Sequence, residues 1–167
     1  MLLNFLARTW NSLAGPVRGR LAWLTHAKFI HGVSGIIRDE RGRVLLLRHR
    51  FWKEQPWGLP GGLANRGETP AETLRRELRE ETGLEVRPLK LLHVSTKRGL
   101  LTQFILLAEC SGQPEIKSVE ILEAGLFDLS ELPGNLLPTH RELLEACVTT
   151  AEPPGLPLEE RQGGLDG

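Results

Sequence analysis

Residues 62–84 read GLANRGETPAETLRRELREETGL, and the signals inside this stretch describe one helix with both ends marked. Thr69 suits a side-chain cap, Pro70 the first helical position, and Glu72, three residues after Thr69, completes a capping box. Gly83 supplies a C-terminal stop. The spacing predicts a helix from about Pro70 to Gly83, with Ala71, Leu74 and Leu78 on one inward face. Glu77, Glu80 and Glu81 stand at i, i+3 and i+4 beside that stripe, so three carboxylates converge. Like charges so placed destabilise an isolated helix. A divalent cation reverses that cost, and several hard oxygen ligands suit Mg²⁺ or Mn²⁺, the ions of phosphate chemistry. Arg76 lies next to Glu77 and one turn before Glu80, where it can orient a ligand carboxylate. Taken by itself, the helix fits a solvated acidic face better than a metal site, because glutamate-rich surface helices are common.

Outward from this helix, residues 32–37 and 43–48 read as two strands of a hairpin around Asp39, Glu40, Arg41 and Gly42. A Trp/Gly/Pro-rich crossing at 55–62 leads into the helix. Further strands are predicted at 84–94, 101–109 and 119–127, and a short helix at 140–149. The three expected segments are an N-terminal extension, 1–28, a domain, 29–150, and a tail, 151–167. The tail holds Pro153, Pro154, Gly155, Pro157, Gly163 and Gly164 and is expected to be disordered. In the extension, Leu2, Leu3, Leu6, Trp10, Leu13 and Val17 recur at helical spacing, continued by Leu21 and Leu24. One amphipathic helix or two, interrupted at Gly15 and Pro16, are expected. That stripe fits a helix docked on the domain or on a dimer partner, and it also fits a peripheral membrane anchor.

The 167 residues carry 21 Lys plus Arg and 21 Asp plus Glu, which excludes a chain coated with cations for nucleic acid. The balance is uneven in place: residues 1–28 hold Arg8, Arg18, Arg20 and Lys28 with no acid, so the remainder sums to −4. Cys110 and Cys147 match no zinc spacing and suit a reducing compartment. No apolar run approaches the roughly 20 residues that span a bilayer, and the N-terminus lacks a secretory pattern, so a cytoplasmic or membrane-peripheral protein is expected.

Gly62, five residues, Glu68, seven residues, then Arg76, Glu77, Leu78, Arg79, Glu80, Glu81, Thr82, Gly83 and Leu84 match every fixed position of the Nudix box. The chain therefore resembles a Nudix hydrolase. With WGLPG at 57–61 the resemblance covers about residues 31–148. It implies an α/β fold, an α/β/α sandwich around a mixed β-sheet, in which the box forms a loop, a helix and a loop. It also implies Mg²⁺-dependent hydrolysis of a nucleoside diphosphate linked to another moiety, with Mn²⁺ as a substitute. Glu77, Glu80 and Glu81 would hold the metal, with the Gly62 carbonyl as a further ligand. Arg76 would position Glu77, and Glu68 would order the loop. Glu120, with Glu123 near it, is the candidate for an additional ligand or general base from the acidic strand after the box.

The small-molecule end is less determined. Phe51 and Trp52 are candidates to contact the substrate, with Arg48 and Arg50 beside them for its phosphates. Trp57 reads as a packing residue, His93, Lys97 and Arg98 as a strand and turn, and His31 and His49 show no metal-ligand spacing. Residues 97–101 lack the proline of members specialised for ADP-ribose, and the chain has no Tyr, which dinucleoside polyphosphate members often carry nearby. The coenzyme A and NADH signatures are also absent. A nucleotide sugar, a CDP-alcohol or a nucleoside triphosphate stays open. A homodimer and a membrane contact through residues 1–28 are further expectations, and nucleic acid is not. Two other functions share the motif: a non-catalytic nucleotide-sensing module, and a capped-RNA pyrophosphohydrolase, for which no extended basic and aromatic track is present.

Overall fold

The computed structural model describes residues 14–25, 28–54, 56–97, 100–148 and 156–157. In chain order the elements are α1 (Gly15–Thr25), β1 (Ile30–Arg38), β2 (Val44–His49), β3 (Trp57–Gly58), β4 (Gly61–Leu63), α2 (Pro70–Thr82), β5 (Val86–Lys97), β6 (Leu101–Cys110), β7 (Ile121–Phe127), α3 (Pro138–Val148) and β8 (Leu156–Pro157). The strands form one mixed sheet in the order β3-β2-β1-β6-β5-β8, with β4 added to β1 and β7 to β2. β1 and β6 run parallel, from Ile30↔Leu101 to Arg38↔Glu109. The other pairings are antiparallel.

Strand alternation divides the apolar residues between two cores. Val33, Ile37, Leu45, Leu47, Leu106 and Ala108 pack with Leu74 and Leu78 of α2. Ile36, Val44, Leu46, Ile105 and Leu107, each one residue out of phase, pack with Leu144 of α3. Period-two geometry sends neighbours to opposite faces, so the unbroken run Val44, Leu45, Leu46 and Leu47 marks a strand covered on both. All four are fully buried. The expected α/β/α sandwich is the observed arrangement.

The hairpin is one at its base alone. Asp39 closes the turn, its N–H donating to Arg43 O at 3.0 Å while its carboxylate accepts the Arg41 and Arg43 N–H groups. Past Arg38↔Val44 the strands part. β4 pairs with Gly32, Val33 and Ser34 of β1, and β3 with Leu47 and Arg48 of β2. The Trp/Gly/Pro crossing thus enters between two strands that sequence spacing would have zipped together.

At the two ends few residues are described. Leu156 and Pro157, in the segment expected to be disordered, pair with Leu91 and Lys90 of β5. The rest of that segment lies outside the described residues, as do residues 1–13 of the extension. α1 begins at Gly15, where the Ala14 carbonyl accepts the Arg18 N–H at 3.1 Å. Its apolar and basic residues are not sorted onto opposite faces, so this part is not amphipathic. Val17, Trp23 and Leu24 are exposed, so none of them docks on the domain. No described helix is long and apolar enough to cross a membrane.

Candidate active site

α2 is fixed at both ends by the residues that predict it. Thr69 Oγ1 accepts the Glu72 N–H at 3.2 Å, and the Thr69 N–H donates to Glu72 Oε2 at 2.7 Å. Gly83 takes φ 68°, the left-handed conformation, and its N–H donates to Arg79 O. Leu74 and Leu78 are fully buried, at roughly 2 kcal/mol each, which sets the rotation of the helix and hence of the acids between and after them.

Arg76 ties this helix to the loop before it. Its Nε donates to Glu68 Oε1 at 2.7 Å and its Nη2 to Glu68 Oε2 at 3.0 Å and Leu63 O at 2.9 Å. Nη1 donates to Glu77 Oε1 at 2.9 Å and Glu80 Oε2 at 3.2 Å. Glu68 also accepts from the Asn65 N–H and the Thr73 hydroxyl. The guanidinium, more than any other neighbour, holds the Glu68 carboxyl down at about 2. The guanidinium thus bridges Glu68 of the loop and Glu77 of the helix.

The other acids are placed differently. Glu77 is half-buried, and burial raises its pKa against the pull of Arg76. A Cβ on Gly62 would fall 2.3 Å from the Glu77 carboxylate, so that residue must be glycine for the side chain to lie where it does. Glu81 is 9% exposed, and its Oε2 has no hydrogen-bond partner among the described residues. Burial first, then the charges of Glu77, Glu120 and Glu80, push it up to about 8, although the Gly61 N–H offsets part of this. Glu120 reaches the group because the Lys117 N–H donates to Glu81 O and the Glu115 N–H to Thr82 O, both at 2.9 Å. These bonds lay the approach to β7 along the end of α2. Glu120 sits in the turn before β7 and not within the strand as expected.

These residues fit a hard divalent cation. A buried carboxylate oxygen lacks a partner, three further acids repel it, and all the donors are hard oxygens. Among the described residues no three acid or imidazole side chains stand in a finished ligand cage. Arg76 binds oxygens of both Glu77 and Glu80, and Glu80, with its side chain 59% exposed, is the one free to swing.

Beside this cluster is a cavity of about 460 Å³ that reaches the box at Gly61 and Gly62. Its walls come from β1 (Gly32, Val33, Ser34), β5 (His93, Ser95), β6 (Gln103, Ile105) and α3 (His140, Leu143), with His49 and Trp52 at one end. Trp52 stacks on His49 with ring centroids 4.0 Å apart, and burial lowers His49 to about 4, so it is neutral at pH 7. His140 Nδ1 accepts the Leu59 N–H at 3.0 Å.

Of the expected substrate contacts, only Trp52 lines this cavity. Arg48 pairs with Glu123 at 2.6 Å, Arg50 Nε donates to Val119 O at 2.8 Å, and Phe51 is 71% exposed. A register shift between Arg48 and His49 is the reason: the bulge aims His49, not Arg48, at the cavity. Trp57 packs edge-on against Phe127, as a core residue should. His93 faces the cavity, whereas His31 meets Phe104 edge-on, and the Lys97 side chain and Arg98 lie outside the described residues. Cys110 is buried in the core. Sequence reasoning missed His140, Ser34 and Gln103, which lack any shared motif, and the one signal for His49 was its nearness to Trp52.

A NUDIX domain family model matches residues 28–147. The CMP-5'-(N-acetyl-N-hydroxy-3-aminopropyl)phosphonate hydrolase of Streptomyces rubellomurinus is 46% identical over 63 residues, 36% of this chain and 30% of that protein. The ADP-ribose pyrophosphatase of Methanocaldococcus jannaschii is 32% identical over 106 residues, 60% of this chain and 63% of that protein. The chain thus spans between about a third and two thirds of these relatives' length. The crystal structure of a MutT NUDIX hydrolase from Burkholderia pseudomallei superposes with a TM-score of 0.61 at 29% identity, covering 71% of this chain and 97% of that one.

Proposed function

The chain belongs to the NUDIX domain family, and from that premise we propose that it hydrolyses the diphosphate linkage of a small nucleoside diphosphate derivative. Residues 29–150 carry this chemistry, with residues 1–28 as an attachment segment and 151–167 as a tail. The observation that carries the reading is the crowding of Glu77, Glu80 and Glu120 around the buried, unpartnered oxygen of Glu81, at the edge of a cavity sized for a nucleoside.

Glu77, Glu80, Glu81 and the Gly62 carbonyl are the proposed ligands of Mg²⁺, or of Mn²⁺ in its place. When bound, such an ion neutralises the diphosphate and makes a coordinated water more acidic. Arg76 holds Glu77 and Glu80 through the same Nη1, the longer bond, 3.2 Å, going to the more exposed Glu80. Glu120 lies close enough to Glu81 to repel its charge and is the candidate to take the proton of the attacking water. The stacked pair of Trp52 and neutral His49 offers a flat apolar surface to the organic part of the substrate, with the Ser34 hydroxyl and Gln103 amide as polar contacts. Arg48 and Arg50 stand at the β7 rim as second-rank phosphate contacts.

Nucleotide sugars, CDP-alcohols and nucleoside triphosphates are the substrate classes in view. The ADP-ribose pyrophosphatase among the relatives adds ADP-ribose to them, despite the missing proline at 97–101. The test is a phosphate-release screen over these four classes with Mg²⁺ and with Mn²⁺, read after the separated products are treated with phosphomonoesterase and inorganic pyrophosphatase, because the cleavage itself yields phosphomonoesters or pyrophosphate. Turnover of one class that disappears with chelator supports the reading. Tight nucleotide binding by calorimetry with no phosphate release under either ion overturns it in favour of a sensing module.

A further inference from the structure

Two stretches of this neutral chain contain no acid at all. Residues 1–38 hold Arg8, Arg18, Arg20, Lys28 and Arg38, and residues 86–108 hold Arg87, Lys90, Lys97 and Arg98. Their nine cations mean that the remaining residues sum to −9. The fold brings the two stretches together. Ile30 pairs with Leu101 at the start of the parallel β1–β6 ladder, and the Ile30 N–H donates to Leu100 O at 2.9 Å. Arg38 lies at the far end of β1, and Arg87 at the same end of the neighbouring β5, where it is paired with Glu109. The near end keeps Lys28, and α1, with Arg18 and Arg20, meets it through the Lys28–Trp23 contact.

This end is also apolar. Trp23 is 64% exposed, Leu24 65%, Leu100 51% and Phe29 48%, with Ile30 and Val17 only a little less open. Contacts run through the patch from one segment to the next. Lys28 Nζ lies 4.3 Å over the Trp23 ring, and Lys28 leads through Phe29 into Ile30, which is bonded to Leu100. Because α1 does not sort its residues onto two faces, the apolar surface belongs jointly to the helix and the sheet end and not to the helix alone.

We propose that this end of the molecule docks on an anionic lipid surface. Indole, phenyl and aliphatic groups interleaved with lysine and arginine, and free of acid, are the composition that enters the headgroup region while its cations meet lipid phosphates. The Lys28–Trp23 contact holds one of each side by side. A nucleic acid would accept the cations, but Val17, Leu24, Ile30 and Leu100 offer it neither hydrogen bonds nor a stacking face. Ile30 is two residues from Gly32, the first β1 residue of the cavity wall, so docking sets the cavity rim close to the headgroups. The proposal is independent of the hydrolase reading, since it uses none of the site residues.

The experiment is co-sedimentation of the full-length chain, without nucleotide, with vesicles of phosphatidylcholine alone or mixed with phosphatidylserine. Binding is expected to the mixed vesicles, to weaken with salt, and to be slight on phosphatidylcholine. Arg18→Gln, Arg20→Gln and Lys28→Gln together are expected to lower partitioning about fivefold for each charge, on the order of 100-fold in all. Trp23→Ser with Leu24→Ser is expected to lower it at unchanged charge. Circular dichroism and phosphate release in solution should be unaltered in both variants, because none of the residues changed is buried or belongs to the carboxylate site. Equal sedimentation with and without vesicles overturns the proposal. So does binding to an oligonucleotide that Trp23→Ser with Leu24→Ser leaves intact while vesicles are ignored, which assigns the cations to a polyanion. Self-association abolished by the same pair, without vesicle binding, assigns the patch to a second copy and equally overturns it.

Discussion

Glu68 and Glu81 belong to the same 23-residue stretch and bracket the same helix, yet their surroundings are opposite. Glu68 is met by a guanidinium on both oxygens, by the Asn65 backbone and by the Thr73 hydroxyl, and is held at about 2. Glu81 has one oxygen with no partner among the described residues, three acids for neighbours, and is pushed to about 8. The loop side of the box is a closed hydrogen-bonded unit that keeps its shape unaided. The helix side is short of positive charge, and that deficit is what a metal-dependent site requires of its protein.

The sharpest way to break this contrast is Glu81→Gln. It should cut phosphate release by about a hundredfold or more, as removal of a group acting directly at the reacting centre does, while Tm of the metal-free chain at pH 8 rises. Unchanged turnover would remove Glu81 from the site. The next effect is pH-dependent stability. Glu81 is raised above its unfolded value, so its contribution is fully present below about pH 4.5 and is lost as pH climbs through about 8. Thermal melts of the metal-free chain should therefore fall over that window by on the order of a few kcal/mol, and Mg²⁺ should restore more at pH 8 than at pH 5. Glu68 carries the reverse sign: its contribution is present above about pH 4.5 and lost only as pH falls towards 2. Glu68→Gln should thus lower Tm at neutral pH and reduce turnover about tenfold by loosening Arg76, with much of the metal affinity retained in a calorimetric titration. Smallest of all, Arg79→Ala or Glu85→Ala should leave Tm and activity unchanged, because that pair, 2.7 Å apart, is more than half exposed.

How far these surroundings could be read in advance differs between the two sides. Thr69, Pro70, Glu72 and Gly83 act locally, within a turn of where they stand, so the helix and its acids were legible to within a residue or two. The Glu68 contact with Arg76 follows from the box spacing. The depth of Glu81 does not, because it depends on Glu115 and Lys117 folding back from beyond β6. The same limit applies to the sheet. β1, β2, β5, β6 and β7 were visible as apolar runs, whereas β3, β4 and β8 were not, and the parting of β1 from β2 depends on β4 and β3 competing for their edges. The cavity is assembled from β1, β2, β4, β5, β6 and α3 with the loop after β2, and its polar residues share no motif. Arg48 and Arg50 were expected at the substrate because they stand beside Phe51 and Trp52 in sequence, and sequence nearness does not show that Glu123 and the Val119 carbonyl engage them. α1 was expected to be amphipathic over a length whose described part does not separate its residues.

The parallel ladder between β1 and β6 carries one more consequence, for the order of events during folding. Ser34 and Gln103, bonded across it at 3.0 Å, are 69 residues apart, and everything that makes the site lies between or after them. A loop of that size must close before the central strand has its second neighbour, and such distant pairings form slowly compared with a helix or a hairpin. α2 can flicker into shape early, on its own caps. The depth that raises Glu81 arrives only when the last third of the chain has joined the sheet, so the site matures late on a helix that starts early.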